Sequence, residues 1–206
     1  MTKDRLSETV FGALKDDILL NRLRPGDCIS EKALVSKFNV SRTPVRQALQ
    51  RLEALNLVRV KDGVGTFVTM IDQNDMADAY QIRQAIEKVA IQTSIYHITA
   101  KELDELEDTF LRFQRQLVNG GYGAKFEEIT YADWKLHDLI VNRSDNKLLG
   151  PTVERITLLL RRYQMTYISG YARATSEHLE IISGIREQDV GQVQQVLTQH
   201  LNFRPI

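Results

Sequence analysis

The chain has 206 residues, with 27 Lys/Arg balanced by 27 Asp/Glu and a single cysteine, Cys28. That length suits one large domain or two small ones, and one cysteine excludes a disulfide framework within the chain. No apolar run approaches about 18 residues and no signal-peptide pattern is present, so a soluble, cytoplasmic protein is expected. The zero net charge conceals a split. Residues 1–70 hold 12 basic against 8 acidic side chains, and residues 71–206 hold 15 against 19. A basic module joined to an acidic one suits nucleic-acid binding better than the average does.

In chain order, residues 7–21 predict a helix with Val10, Leu14 and Ile18 on one stripe, broken at Pro25-Gly26. Cys28 is expected to be small, buried or half-buried filling. Residues 30–38 predict a second helix, capped by Ser30, with Ala33, Leu34 and Phe38 facing inward. A tight link at Asn39-Val40 leads to a third helix, within 40–52. Ser41 is placed to cap it, Pro44 is tolerated in its first turn, and Val45, Leu49 and Leu52 form its apolar row. Arg42 and Arg46 stand at its amino-terminal end. Taken alone this is equally an amphipathic helix with solvated arginines. Two short helices joined by a tight turn make a helix-turn-helix, whose second helix enters a groove. Residues 57–61 alternate as a strand, Asp62-Gly63 signals a hairpin turn, and 65–69 returns, which completes a winged helix.

Residues 7–69 resemble the amino-terminal domain of the GntR family of bacterial transcription regulators. The match lies in L-R-P-G-D (23–27), S-E-K-A-L (30–34), V-S-R-T-P-V-R-Q-A-L-Q-R-L (40–52) and G-V-G-T-F-V (63–68). The resemblance implies a homodimer on a palindromic operator, with DNA contacts at Lys32, Ser41, Arg42, Thr43 and Arg46 and with Gly63 at the wing tip. The chemistry agrees. Guanidinium forks suit guanine edges and phosphates, hydroxyls at a helix N-terminus suit phosphate, and glycine lets backbone enter a narrow groove.

After a short polar linker at 70–74 the period is helical throughout, with no convincing strand. Helices are predicted at 75–98, from a capping box at Thr99–Glu102 to Asn119-Gly120-Gly121, and at 126–142, 146–169, 175–187 and 189–203. The fold class is therefore mostly α. A winged helix-turn-helix over 1–70 precedes an all-α six-helix bundle over 71–206. Little chain follows His200, so the last helix is expected to be weakly anchored.

Asp133 and His137 lie four apart, on one face of a helix, while His178 and His200 sit on the inward stripes of the last two helices. Three imidazoles and a carboxylate suit a divalent transition ion such as zinc, nickel or manganese. Taken alone, D-x-x-x-H is a common spacing, and a core histidine is more often hydrogen-bonded than ligating. Residues 75–203 also resemble the FCD domain of the same regulators, through Q-I-R-Q-A-I-E (81–87), D-W-K-L-H (133–137), N-K-L-L (146–149), E-H-L-E-I-I (177–182) and Q-H-L (199–201). That resemblance implies a metal on Asp133, His137, His178 and His200 and a small carboxylate effector bound to it. Arg83 is assigned to a second carboxylate of the effector, against the alternative that it pairs with Glu87 one turn away. Arg161 or Arg162 is a further candidate, and His97 is read as structural. The expected function is a DNA-binding regulator controlled by a metabolite, not an enzyme. The alternatives are a regulator with a purely structural metal and a metalloenzyme, the latter disfavoured because no general base stands beside the ligands.

Overall fold

The computed structural model describes residues 3–118, 126–166 and 171–203. Contacts divide the chain into two units, Met1–Asp72 with Arg161–Thr166, and Gln73–Leu160 with Tyr167–Ile206. The expected helix end at Asn119-Gly120-Gly121 lies outside the described residues.

The first unit contains α1 (Lys3–Leu19), β1 (Cys28–Ile29), α2 (Glu31–Phe38), α3 (Arg42–Ala54), β2 (Val58–Lys61) and β3 (Gly65–Val68). Its helices α1 and α3 pack on each other through the expected stripes, with Val10, Leu14, Ile18, Val45, Leu49 and Leu52 all buried. Arg51 joins the same helices at the rim, donating to Glu8 at 2.6 Å and lying 3.9 Å from the centroid of the Phe11 ring. The hairpin forms with Val58 opposite Val68 and Lys61 opposite Gly65, and Gly63 supplies the positive φ of 71° in its turn. A strand not expected from the sequence, β1, pairs antiparallel with β3 and makes the sheet order β1-β3-β2. Two residues are too short for a periodic signal. Alternation along β1 turns Ile29 inward and leaves Cys28 exposed, contrary to expectation.

Helix ends differ from expectation where caps decide them. Ser30 caps α2, accepting from the Ala33 N–H at 3.3 Å, and Asn39 closes it in the left-handed conformation. Within α2 only Leu34 is buried, and Ala33 is exposed, because eight residues present one narrow inward stripe. Ser41 occupies the cap position of α3 but makes no side-chain capping bond.

The second unit is helical throughout its described residues: α4 (Gln73–Ser94), α5 (Ala100–Val118), α6 (Phe126–Asn142), α7 (Leu149–Thr166), α8 (Tyr171–Arg186) and α9 (Val190–His200). Helix α4 starts two residues earlier than expected, so the linker is correspondingly shorter. The capping box forms reciprocally, the Thr99 N–H donating to Glu102 at 2.9 Å and the Glu102 N–H to Thr99 at 3.3 Å. The core is built by α4, α5, α6, α8 and α9 around Ile91, Phe110, Leu136, Ile140, Ile181 and Leu197. Helices α8 and α9 approach closely at Gly184, where a Cβ would meet Val193 Cγ2 at 2.7 Å. The last helix is better anchored than expected. Val193 and Leu197 are fully buried, Gln194 donates to the Lys88 carbonyl at 2.8 Å, and Phe203 stacks on Tyr80. Helix α7 adds only Leu149 at the margin of this core, and its last residues, Arg161–Thr166, group with the first unit.

The two serines at the helix-turn-helix separate by stability. Ser30→Ala should lower unfolding free energy by about 1 kcal/mol, the usual worth of an N-cap. Ser41→Ala should leave it unchanged, because no capping bond is lost. Denaturant titration of both variants checks this, and equal losses would contradict it.

Candidate metal centre and nucleic-acid interface

The residues expected at DNA all lie in the first unit. Lys32, Ser41, Arg42, Thr43, Arg46 and Gly63 are exposed. The burial of Pro44, Val45, Ala48, Leu49 and Leu52 fixes the phase of α3 and leaves Arg42, Thr43 and Arg46 on the open side. Arg46 meets Glu31 at 3.1 Å, and both side chains remain solvent-accessible, 63% and 37% exposed. Such a surface pair contributes at most about 1 kcal/mol, so it holds the arginine loosely. Arg51, on the same helix, is committed to Glu8 and Phe11.

In the second unit Asp133 and His137 on α6, His178 on α8 and His200 at the end of α9 converge. One ligand atom from each lies within 4.8 Å of all the others. His178 Nε2 is 2.8 Å from Asp133 Oδ1, His137 Nε2 is 3.4 Å from it, and His200 Nε2 is 4.0 Å from it. The His137 and His200 Nε2 atoms face each other at 3.1 Å. Bonds of about 2.1 Å at right angles would put neighbouring donor atoms about 3.0 Å apart and opposite ones about 4.2 Å apart. Three of the observed spacings fall in that range, and the His178–Asp133 spacing of 2.8 Å is slightly shorter. Neither ring nitrogen of His178 has a hydrogen-bond partner, although both are buried. Its Nε2 is close to Asp133 but not aligned with it, as two ligands aimed at a common point would be. The donor set, three nitrogens and one carboxylate oxygen, is able to hold a divalent transition ion.

Behind the four stand two carboxylates that sequence reading did not assign to the site. Glu87 accepts from His137 Nδ1 at 2.6 Å and Glu177 from His200 Nδ1 at 3.0 Å. A carboxylate only accepts, so each of these Nδ1 atoms carries the hydrogen and each Nε2 turns its lone pair inward. Glu87 had entered only as the alternative partner of Arg83, and that pair exists: Arg83 Nε donates to Glu87 Oε1 at 2.6 Å, both side chains being buried. The i, i+4 spacing of Arg83 and Glu87 was the available signal. Glu177 had none, because its partner His200 is 23 residues away. His178 instead lies against the Phe110 ring, centroids 4.6 Å apart.

Electrostatics follow burial. Desolvation is the largest influence on Asp133 and would raise it, but His137 and His178 beside it outweigh that and hold the carboxyl well below its usual range. Desolvation, the largest influence on His137, and the Arg83 charge pull it down, yet Glu87 and Asp133 leave it raised. Burial lowers His178, so the ionic partner of Asp133 is His137. Burial and the neighbouring imidazoles push His200 down to about 4. Glu87 resists desolvation through His137 and Arg83 and stays low.

Four further residues make contacts of their own. Arg162 is buried and donates to the Thr69 carbonyl, and Arg161 belongs to the same first unit. His97 is half exposed and meets Asp145 at 3.1 Å. Asn146 accepts from the Leu148 N–H at 3.1 Å, a local turn bond.

Comparison with known proteins gives two family models. Residues 6–68 match that of bacterial regulatory proteins of the gntR family, and residues 78–203 match the FCD domain. The chain is 28% identical over 199 residues to the HTH-type transcriptional repressor RspR of Escherichia coli K12, covering 95% of this chain and 86% of that protein. It is 28% identical over 195 residues to the uncharacterized HTH-type regulator YdhC of Bacillus subtilis, covering 93% and 86%. A crystal structure of a GntR regulator from Rhodococcus sp. RHA1 superposes with a TM-score of 0.79 at 20% identity, covering 95% of this chain and 93% of that one.

The histidines make metal uptake pH-dependent, since a protonated imidazole cannot ligate. His137, raised above its ordinary value, is the first to be lost on acidification. Below that value each pH unit should cost about tenfold in affinity for every imidazole that must release a proton. Zinc affinity by chelator competition should therefore be at least about tenfold weaker at pH 5.5 than at pH 7.5. In the metal-free chain His200 works the same way on stability. Its folded value of about 4 lies below the unfolded one, so its contribution is full above the unfolded value and falls as pH drops towards 4. A pH-independent zinc affinity would remove these imidazoles from the ligand set.

Proposed function

The chain belongs to the GntR family of bacterial regulators, with an FCD domain behind its winged helix, and we propose that it is a transcription regulator whose operator affinity is set by a small carboxylate bound at the Asp133–His137–His178–His200 metal centre. Residues 1–70 form the DNA-binding module of this reading and residues 71–206 the metal- and effector-binding one. Two copies of the chain bind a palindromic operator.

Buried charge is the observation that carries the effector class. Asp133 and Glu87 supply two negative charges and Arg83 one positive, Glu177 at the rim is balanced by Arg173 at 3.1 Å, and the imidazoles are neutral once they ligate. The buried group is then −1, and a dication makes it +1. An anion restores neutrality in a site where uncompensated charge is costly. Four protein ligands leave positions open on ions that accept five or six, and a carboxylate oxygen suits them. Arg83 gives its Nε hydrogen to Glu87, and a guanidinium has four further donors for a second carboxylate. The metal would supply Lewis acidity and fixed positive charge for binding. The protein's own groups orient the ligands and exclude water.

On the DNA side, the unused hydroxyl of Ser41, with Thr43, offers phosphate ligands at the N-terminus of α3. Arg42 and Arg46 reach base edges, Lys32 a phosphate, and the backbone at Gly63 the minor groove.

Arg42→Ala and Arg46→Ala should each weaken operator binding by about 1–3 kcal/mol with unchanged circular dichroism, and binding should fall steeply with salt. Full operator affinity in both variants would sink the DNA assignment. A panel of small carboxylates, added to the metal-loaded protein, should contain members that raise the melting temperature and change operator affinity by roughly 5- to 150-fold, a coupling of about 1–3 kcal/mol. Arg83→Lys keeps the cation beside Glu87 but loses the planar fork, and should blunt the response without lowering metal content. A metal-dependent melting temperature with no carboxylate response would instead indicate a structural metal. Turnover of a carboxylate would indicate an enzyme.

A further inference from the structure

We propose that Glu87 is a positioning residue that ties the metal ligand His137 to α4, so that filling the ligand cluster fixes the helix into which the winged-helix unit leads. This rests on the reading that Asp133, His137, His178 and His200 hold a divalent ion. The three imidazoles are supported differently. His178 rests on the Phe110 ring, and its outer nitrogen Nδ1 has no hydrogen-bond partner. His200 is supported by Glu177, which belongs to α8. His137 is supported by Glu87, the one support of the three that belongs to α4. Glu87 spends both oxygens on buried donors, Oε2 on His137 Nδ1 and Oε1 on Arg83 Nε, each at 2.6 Å. The three side chains are at most 5% exposed, so no solvent competes for these bonds. The first residue of α4, Gln73, directly follows the stretch Met1–Asp72 of the winged-helix unit.

An isosteric amide cannot repeat this. Glutamine has one oxygen, which satisfies His137 or Arg83 but not both. With its NH2 towards His137, the imidazole must accept at Nδ1 and carry its hydrogen on Nε2, which removes the lone pair needed for the ion. With its NH2 towards Arg83, two donors face each other in a buried site.

The test uses the full chain and zinc alone. Zinc affinity is measured by chelator competition, and backbone hydrogen exchange is measured with and without saturating zinc. In the wild type, zinc should slow exchange in both α4 and α9. Nitrogen NMR of the zinc-loaded protein should show His137 with its hydrogen on Nδ1. Glu87→Gln should bind zinc about 10- to 100-fold more weakly. At saturation it should still protect α9 but no longer α4. Glu177→Gln should also lose zinc affinity yet keep the protection of α4. The double variant Arg83→Met with Glu87→Met, which removes both buried charges and leaves His137 Nδ1 with no acceptor on α4, should behave like Glu87→Gln if the single variant proves too unstable to measure. Wild-type affinity and α4 protection in the Glu87 variants overturn the proposal, as does zinc binding in the wild type that leaves α4 exchange unchanged. Failure of the wild type to take up zinc at all removes the metal reading itself.

Discussion

Burying Asp133, Glu87 and Arg83 among apolar helices is the constraint on which the second unit turns. An ionised carboxylate taken out of water costs several kcal/mol unless its partners are well placed. Here the partners come from different helices: Arg83 and Glu87 from α4, Asp133 and His137 from α6, His178 from α8, His200 from α9. The same side chains that would hold an ion therefore also hold the bundle in register. The cluster is unfinished as it stands. The His137 and His200 Nε2 atoms crowd each other at 3.1 Å, and neither ring nitrogen of His178 has a hydrogen-bond partner. A cation at the centre would bond the inward Nε2 atoms, leaving only His178 Nδ1 without a partner. Metal binding and folding of the bundle are thus parts of one equilibrium.

The DNA side follows the opposite logic. Its cations lie at the surface, and the one ion pair that engages a proposed contact, Arg46 with Glu31, is exposed at both ends. Screened charge of this kind adds little to stability and is readily exchanged for phosphate. What the first unit buries is mainly apolar, the α1–α3 interface and the inner face of the hairpin, with Ser7, Thr66 and Arg162 as buried polar side chains. Truncating one of these exposed cations should therefore leave the unit folded, whereas truncating a member of the buried Asp133 cluster should disturb the packing of the second unit.

Features carried by period and spacing were readable from the sequence, and features that depend on remote partners were not. The stripes Val10–Leu14–Ile18 and Val45–Leu49–Leu52, the capping box at Thr99 and the hairpin turn at Asp62-Gly63 each lie within one element, and all appear. That Asp133, His137, His178 and His200 come together could be expected because two share a helix face and the resemblance supplied the rest. Glu177 could not, since only the folding of α8 against α9 brings it to His200. Cys28 was misplaced because β1 exists only through its pairing with β3. Ser41 shows the limit of a local rule: the residue type is right for a cap and the position is the cap, yet the hydroxyl makes no capping bond. Helix α7 was read as a full member of the bundle from its apolar residues. Its buried Arg162 is spent on the Thr69 carbonyl of the first unit, a contact no helical period encodes.

Arg83 and Glu87 share α4 with the start of the second unit, and this bears on how a regulator of this design could work. Glu87 lies 14 residues beyond Gln73, about 21 Å along a helix at 1.5 Å per residue. A continuous helix of 22 residues is stiff over that distance, so the orientation of its carboxyl-terminal half constrains its first turn. A ligand can alter operator affinity only if it interacts differently with two arrangements of the chain, and the effect must be reciprocal. Operator DNA should therefore change metal and carboxylate affinity by the same factor by which they change its own. A network confined to α6, α8 and α9 could supply the same four side chains without meeting that requirement. The bond from Glu87 on α4 to His137 on α6 would give a ligand at the cluster such a difference to act on.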